Sequence, residues 1–281
     1  MSAAWEQSAL VLLGQALPVF ALIMVRTIGV LQQAPIIGAK TVPAMVRAGL
    51  ALALSLVYFW TLKSAPVVPH QLLAFVLAAL VEFGTGYLFG MAAMILFYAF
   101  QAAGEMVATA TGLSMMTTLN PSMHMQTTAV GNLFFYLSQT AFLAIGGELW
   151  FLSAYYQTFQ LVPLGGFQLN LDVWNHAGNI VLDFFYIAIQ LAMPAIVVMF
   201  LVDFGLGIIN RAAPSVSNIL QIVMNVKPTV GFVLMALMVP NVVSSIGQWS
   251  DRLLLETQAL VLAQVQPTPA PTPAPSPSPG P

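Results

Sequence analysis

Residue types that carry chemistry are scarce in this sequence, so their positions decide which reactions are open to it. There is no cysteine and there are three histidines. Without cysteine there is no disulfide, no thiolate ligand and no cysteine nucleophile. His70, His124 and His176 lie far apart, each in a turn-like stretch near Pro or Asn, and no two have the spacing of a zinc motif. There is no phosphate-cradling glycine loop and no serine elbow with a histidine at hand. We therefore read the chain as no enzyme, with no cofactor and no catalytic or metal-binding set. One dense cluster remains: Met115, Met116, Met123, His124 and Met125 around Asn120 and Pro121. Thioethers and imidazole suit Cu(I), but methionine is also the adaptable filler of irregular apolar surfaces. We read the cluster as a pliable loop that closes a pore and repacks around varied cargo. Copper binding is the alternative, and its mark is copper-dependent protection of these methionines from oxidation.

The charges form the second set. Arg26, Arg47, Glu82, Glu105, Glu148 and Asp203 interrupt or flank long apolar stretches, followed by Arg211 and Lys227. A charge in such a setting is costly, and is by default functional or paired. A proton relay is one reading. Pairing that fixes helix register is the one we adopt, because no repeated carboxylate spacing marks a path along the chain.

The elements that must hold these residues follow from composition. Of 281 residues, 59% are hydrophobic and only 6% charged, with a mean hydropathy of +0.89. Soluble domains carry roughly 25% charged residues, so an ordinary soluble domain and intrinsic disorder are both excluded. A net charge of −2 from seven basic and nine acidic residues leaves no basic patch for nucleic acid. Uncharged runs of 19 residues at 7–25, 15 at 48–62, 22 at 83–104 and 19 at 184–202 compare with the ~20 that a spanning helix needs. The longest run, Met106 to Gly147, has 42 positions without a charge and contains the methionine cluster.

These runs predict helices over 8–30, 43–62, 70–108, 130–159, 178–210 and 215–240, with an amphipathic piece at 247–264. The fold class is an all-α integral membrane protein of about six long, kinked hydrophobic helices in hairpins, plus a short C-terminal amphipathic helix. The first run lacks a basic leader and a small-residue cleavage site, so it is expected to be retained. Pro18 and Pro194 fall inside helical runs and invite kinks. Gly84, Gly86 and Gly90 share one stretch beside Glu82. Lipid tolerates irregular backbone only where protein or a water-filled cavity satisfies it, which suits helices packed against partner chains. Arg26, Lys40, Arg47 and Arg211 against Lys63 give a weak charge bias toward an outside N-terminus. From Pro267 to Pro281, eight of fifteen residues are proline, an extended solvated tail with nothing to bury. The expected division is residues 1–265 as one helical domain and 266–281 as a Pro-rich disordered tail.

Read in order, several segments resemble the FliR family of flagellar type III export-apparatus proteins, called SctT in injectisomes. The first holds Arg26, Ala34-Pro35-Ile36-Ile37-Gly38, Val42-Pro43, Val46-Arg47 and Gly49-Leu50. The second holds Glu82, Gly86, Gly90, Gln101, Ala103-Gly104-Glu105, Gly112-Leu113 and Asn120-Pro121. Gly147-Glu148-Leu149 leads to Pro163-Leu164-Gly165 in the third. The fourth runs through Pro194, Asp203, Gly207, Asn210-Arg211-Ala212-Ala213-Pro214, Asn218, Lys227 and Gly231. The order of these matches across residues 10–240 carries the resemblance, more than any one of them.

The resemblance implies one copy of the chain in a helical export gate of the bacterial inner membrane, within the flagellar basal body. It implies partners resembling FliP and FliQ, of which the chain looks like a fusion, and a FlhB-like switch protein. Unfolded export substrates and membrane lipid complete the set, with no nucleic acid. The link to the switch protein puts the C-terminus in the cytoplasm, against the charge bias, and we follow the link. Members carry an inward loop that plugs the channel, here residues 112–126, with Gly112, Leu113, Met115, Met116, Leu119, Asn120, Pro121, Met123, His124 and Met125 as its expected side chains. Members often have Asp before the loop proline where this chain has Asn120. Arg26, Arg47, Glu82, Glu105, Asp203, Arg211 and Lys227 are the expected pairing or assembly sites. The competing function is a small-solute or proton-coupled transporter, but no internal repeat of the transporter kind is visible.

Overall fold

An apolar chain with no water to bond its backbone must satisfy its own N–H and C=O groups, and a helix does this within one segment. The computed structural model describes residues 2–39, 41–62, 68–69, 71–114, 127–164, 171–212 and 219–263. The regular elements among them are all helices: α1 (Ser2–Gln33), α2 (Ala44–Thr61), α3 (Leu72–Thr111), α4 (Ala129–Ala144), α5 (Gly147–Leu161), α6 (Leu171–Ala212) and α7 (Ile219–Ala263). The protein is an all-α membrane protein. Five helices are long and apolar enough to cross a bilayer, and the bent pair α4–α5 supplies a sixth candidate.

α3 is the hub and packs against α1, α4, α6 and α7. Around it lies a core that includes Phe89, Phe97, Phe100, Phe134, Tyr155, Ile187 and Leu191, all essentially inaccessible. The α1–α3 crossing is close enough that a Cβ on Gly86 would run into the Arg26 carbonyl, and one on Gly90 would lie 2.5 Å from the Val30 carbonyl. Gly86 and Gly90 thus form a small-residue stripe that lets two backbones touch, a common device between membrane helices. α6 and α7 run antiparallel, since Asp203 meets Lys227 near one end and Asp183 meets Arg252 toward the other.

Three boundaries depart from the sequence reading. The helix expected at 130–159 is two helices bent by 80°. α4 ends at Ala144, the turn to α5 passes through Gly146 with a φ of +77° that favours a residue without a Cβ, and any side chain at Gly147 would collide with the Phe142 ring. At the C-terminus the expected break between 240 and 247 is absent. α7 runs through Pro228 and Pro240 without interruption, so the amphipathic piece forms its last turns. A proline removes one helical bond, whereas breaking the helix in apolar surroundings would strand several more. α6 also begins earlier than expected, at Leu171, so His176 is helical and not in a turn. The expected tail at 266–281 lies outside the described residues.

Candidate functional site

Two of the charges that interrupt apolar runs meet in the interior. Arg26 on α1 is fully buried, and its Nε lies 2.5 Å from Oε2 of Glu82 on α3, which is 1% exposed. Gly86 stands one turn beyond Glu82 and permits the close approach that brings the pair together. Arg26 Nη1 donates to the carbonyls of Thr158 (3.2 Å) and Val162 (2.9 Å). These belong to the last turn and C-cap of α5, where a cation complements the dipole; the Thr158 carbonyl also accepts the Val162 N–H at 2.9 Å. The guanidinium also lies over the Phe159 ring, 4.5 Å from its centroid. Beside it, the Thr27 hydroxyl donates to the Ile23 carbonyl at 2.7 Å. That leaves its oxygen to accept from Tyr155 at 2.5 Å and from Ser55 at 3.0 Å. One polar knot therefore ties α1, α2, α3 and α5 at a single level. Its fixed, planar fork of donors is what arginine supplies and lysine does not. Nothing in this arrangement activates a nucleophile or a water; it clamps helices.

A second arrangement secures the described residues on either side of the methionine cluster. Gly112 ends α3 with φ +77°, and Leu113 packs against the core. On the return side the Glu105 carboxylate accepts the backbone N–H of Thr128 at 2.7 Å, and the Thr128 hydroxyl accepts from the Gly131 N–H at 3.0 Å. Oε1 of Glu105 occupies the space where a Cβ on Gly131 would stand. An acid from α3 and a threonine cap therefore share the N-terminus of α4, where anionic groups are favoured. Met115, Met116, Leu119, Asn120, Pro121, Met123, His124 and Met125 lie outside the described residues. Among the described residues, no three His, Asp or Glu side chains gather in a geometry that holds a metal.

The sequence comparisons bear on these arrangements. Residues 17–253 match the profile of the family described as bacterial export proteins, family 1. The chain belongs to this family. It is 30% identical over 220 residues to the flagellar biosynthetic protein FliR of Escherichia coli (strain K12), covering 77% of this chain and 82% of that protein. It is 27% identical over 254 residues to the FliR of Bacillus subtilis (strain 168), covering 88% and 96%. It is also 30% identical over 202 residues to the Yop proteins translocation protein T of Yersinia pestis, covering 69% and 74%. The family is thus one of flagellar and type III export-apparatus proteins, and its names describe export components and not enzymes.

The family segment contains the knot, the loop base and most of a third arrangement between α6 and α7. Lys227 Nζ stands 2.8 Å from Asp203 Oδ1, both partly accessible. Farther along, Arg252 pairs with the buried Asp183 at 3.0 Å and lies over the Trp249 ring. His176 Nδ1 lies 3.5 Å from Glu256 Oε2. Asp183, Arg252 and Glu256 were not among the residues the sequence singled out. A signal existed, since Arg252 and Glu256 are four apart on one helix face and Asp183 closes an apolar run. Arg47 donates to Gln32 at 3.1 Å across the α1–α2 connection. Arg211 is exposed in the last turn of α6, and no carboxylate among the described residues reaches it or Arg47.

Proposed function

We propose that the chain is a non-enzymatic subunit of a type III, flagellar-type protein export gate in the bacterial inner membrane. FliP-like and FliQ-like subunits cover its apolar helices, and residues 112–126 plug the secretion channel. A single copy enters the helical assembly and meets a FlhB-like switch protein, and unfolded substrates displace the plug. Residues 1–265 make up the gate domain, with 266–281 a solvated tail.

The observation that carries this reading is helix length. The apolar stretches Leu72–Thr111, Asn175–Ala212 and Val226–Ala259 hold 40, 38 and 34 residues. At 1.5 Å per residue they are about 50 to 60 Å long, and a 40° tilt still projects them over about 39 to 46 Å. The hydrocarbon core is roughly 30 Å thick. Lipid alone leaves part of each apolar surface in water, so another protein surface is the natural cover. The anchored loop base supports the plug: Gly112 stops α3, Glu105 and Thr128 fix the return, and the stretch between them carries no charge. Apolar side chains across a pore exclude water and ions by dewetting.

The test is purification of the tagged chain in mild detergent. It is expected to emerge in one stable complex with two smaller, very hydrophobic subunits, and isolation as a monodisperse monomer refutes the assembly. Deleting Leu113 to Gln126 is expected to leave that complex intact while the cell membrane becomes leaky to small solutes. Unchanged leakage with an intact complex removes the plug.

A further inference from the structure

An apolar pocket, partly open to the surface, lies on the inside of the α4–α5 elbow, where α1, α2 and the turn joining them form the other walls. It measures about 210 Å³ and is lined by carbon, chiefly from Leu31, Ile37, Leu50, Leu54 and Phe151. An apolar cavity of about 150 Å³ already stays dry and accepts an apolar guest. Water needs two to four polar partners to occupy such a site. The two polar side chains on the inner wall, Thr27 and Tyr155, are bonded to each other at 2.5 Å, and Thr27 also serves Ile23 and Ser55.

The backbone holds this space open at a conformational cost. Ile36 in its wall has φ +69°, an outlier for a β-branched residue, and the Ile37 N–H bonds to the Pro35 carbonyl at 2.7 Å. That is the strained form of the three-residue γ-turn, and strain of this kind gathers at ligand clamps. The rim has a definite chemistry. Leu143, Ile145 and Leu149 stand exposed on the elbow, so the mouth opens on an apolar surface of a membrane protein. Between them sits Glu148, a cavity-lining residue that is itself exposed, with no ion-pair partner among the described residues. No basic side chain lines the cavity to receive a phosphate-only headgroup.

We propose that this cavity is a lipid site that takes a segment of one acyl chain of an amine-headed phospholipid, with Glu148 receiving the ammonium group at the rim. Carbon walls select the chain, and the single acid selects the head. The site does not rest on the export reading, but it requires that partner subunits leave the elbow facing lipid.

The full-length chain, in whatever assembly it leaves the membrane, is reconstituted in nanodiscs of phosphatidylethanolamine and phosphatidylglycerol and released into native mass spectrometry. Retention of one phosphatidylethanolamine per chain, at least fivefold over phosphatidylglycerol, is expected. Leu54→Trp fills the cavity and is expected to lower retention tenfold. Glu148→Gln, at an exposed position that leaves folding intact, is expected to abolish the headgroup preference. No retained lipid, equal retention of both lipids, or a preference unchanged in Glu148→Gln overturns the proposal. A photo-crosslinker at Leu143 is expected to give a lipid-mass adduct. A protein adduct there means that a partner segment fills the cavity, and also overturns it.

Discussion

At the scale of single residues, Arg26 decides most. It sits at full burial with a carboxylate, two helix-terminal carbonyls and an aromatic face around it, so each neighbour offsets part of its desolvation. A buried pair adds little relative to a well-packed apolar replacement, but removing one partner strands a charge at about 3–5 kcal/mol. Glu82→Ala is therefore expected to lower the melting midpoint of the purified protein sharply, followed by tryptophan fluorescence in detergent. Arg26→Met combined with Glu82→Leu is expected to recover part of that loss, because no charge is left unpaired. Arg26→Lys is expected to behave as a damaging change of about 2 kcal/mol, since one ammonium cannot serve Glu82, the α5 carbonyls and the Phe159 ring together. A Glu82→Ala protein that melts with the wild type would falsify the clamp.

At the scale of elements, the loop base offers a similar test without touching the loop. Thr128→Ala removes a helix cap, a change of about 1 kcal/mol, and Glu105→Gln removes an anion from the same terminus at about 0.3–1 kcal/mol. Hydrogen exchange is expected to accelerate at the amides of 128–132, while the middle of α3 keeps its protection; acceleration throughout α3 instead assigns Glu105 to global stability. The helices themselves were legible because each long uncharged run must bond its own backbone, and the runs are bounded by charges that can be counted. Their partners were not legible. Arg26 and Glu82 are 56 positions apart, and only the Gly86 crossing brings them together. Gly146-Gly147 was a readable turn signal that the surrounding apolar run concealed. Pro240 was a readable stop signal that the apolar surroundings overrode. The charges Asp203 and Lys227 were visible as exceptions in the sequence, but their pairing depends on the antiparallel course of α6 and α7.

At the scale of the whole molecule, the exposed apolar surface extends beyond what a bilayer core can cover. α6 alone exposes Leu182, Phe185, Ile189, Met193, Val197, Phe200, Phe204 and Ile208. Spaced three or four apart, they form one continuous stripe over about 39 Å, longer than the hydrocarbon core. Such a stripe in a monomer has only detergent against it, so a charge placed there touches no folded contact. Once a partner covers the stripe, the same charge is buried without compensation at a cost of several kcal/mol. Phe204→Glu is therefore expected to melt within about 0.5 kcal/mol of the wild-type chain. The same variant is expected to carry down at least tenfold less of the small hydrophobic subunits. Arg211→Ala and Lys227→Ala belong with it. The exposed Lys227–Asp203 pair is worth at most about 1 kcal/mol to the fold, and Arg211 has no carboxylate partner among the described residues, so loss of either cation is expected to register in assembly while the melting curve stays in place. Normal co-purification in all three variants leaves the stripe to lipid and removes the need for protein partners along α6; co-purification lost only together with folding returns these residues to the chain's own stability. A selective loss of assembly, with the isolated chain still folded, marks the α6–α7 face as the surface through which this subunit joins its gate.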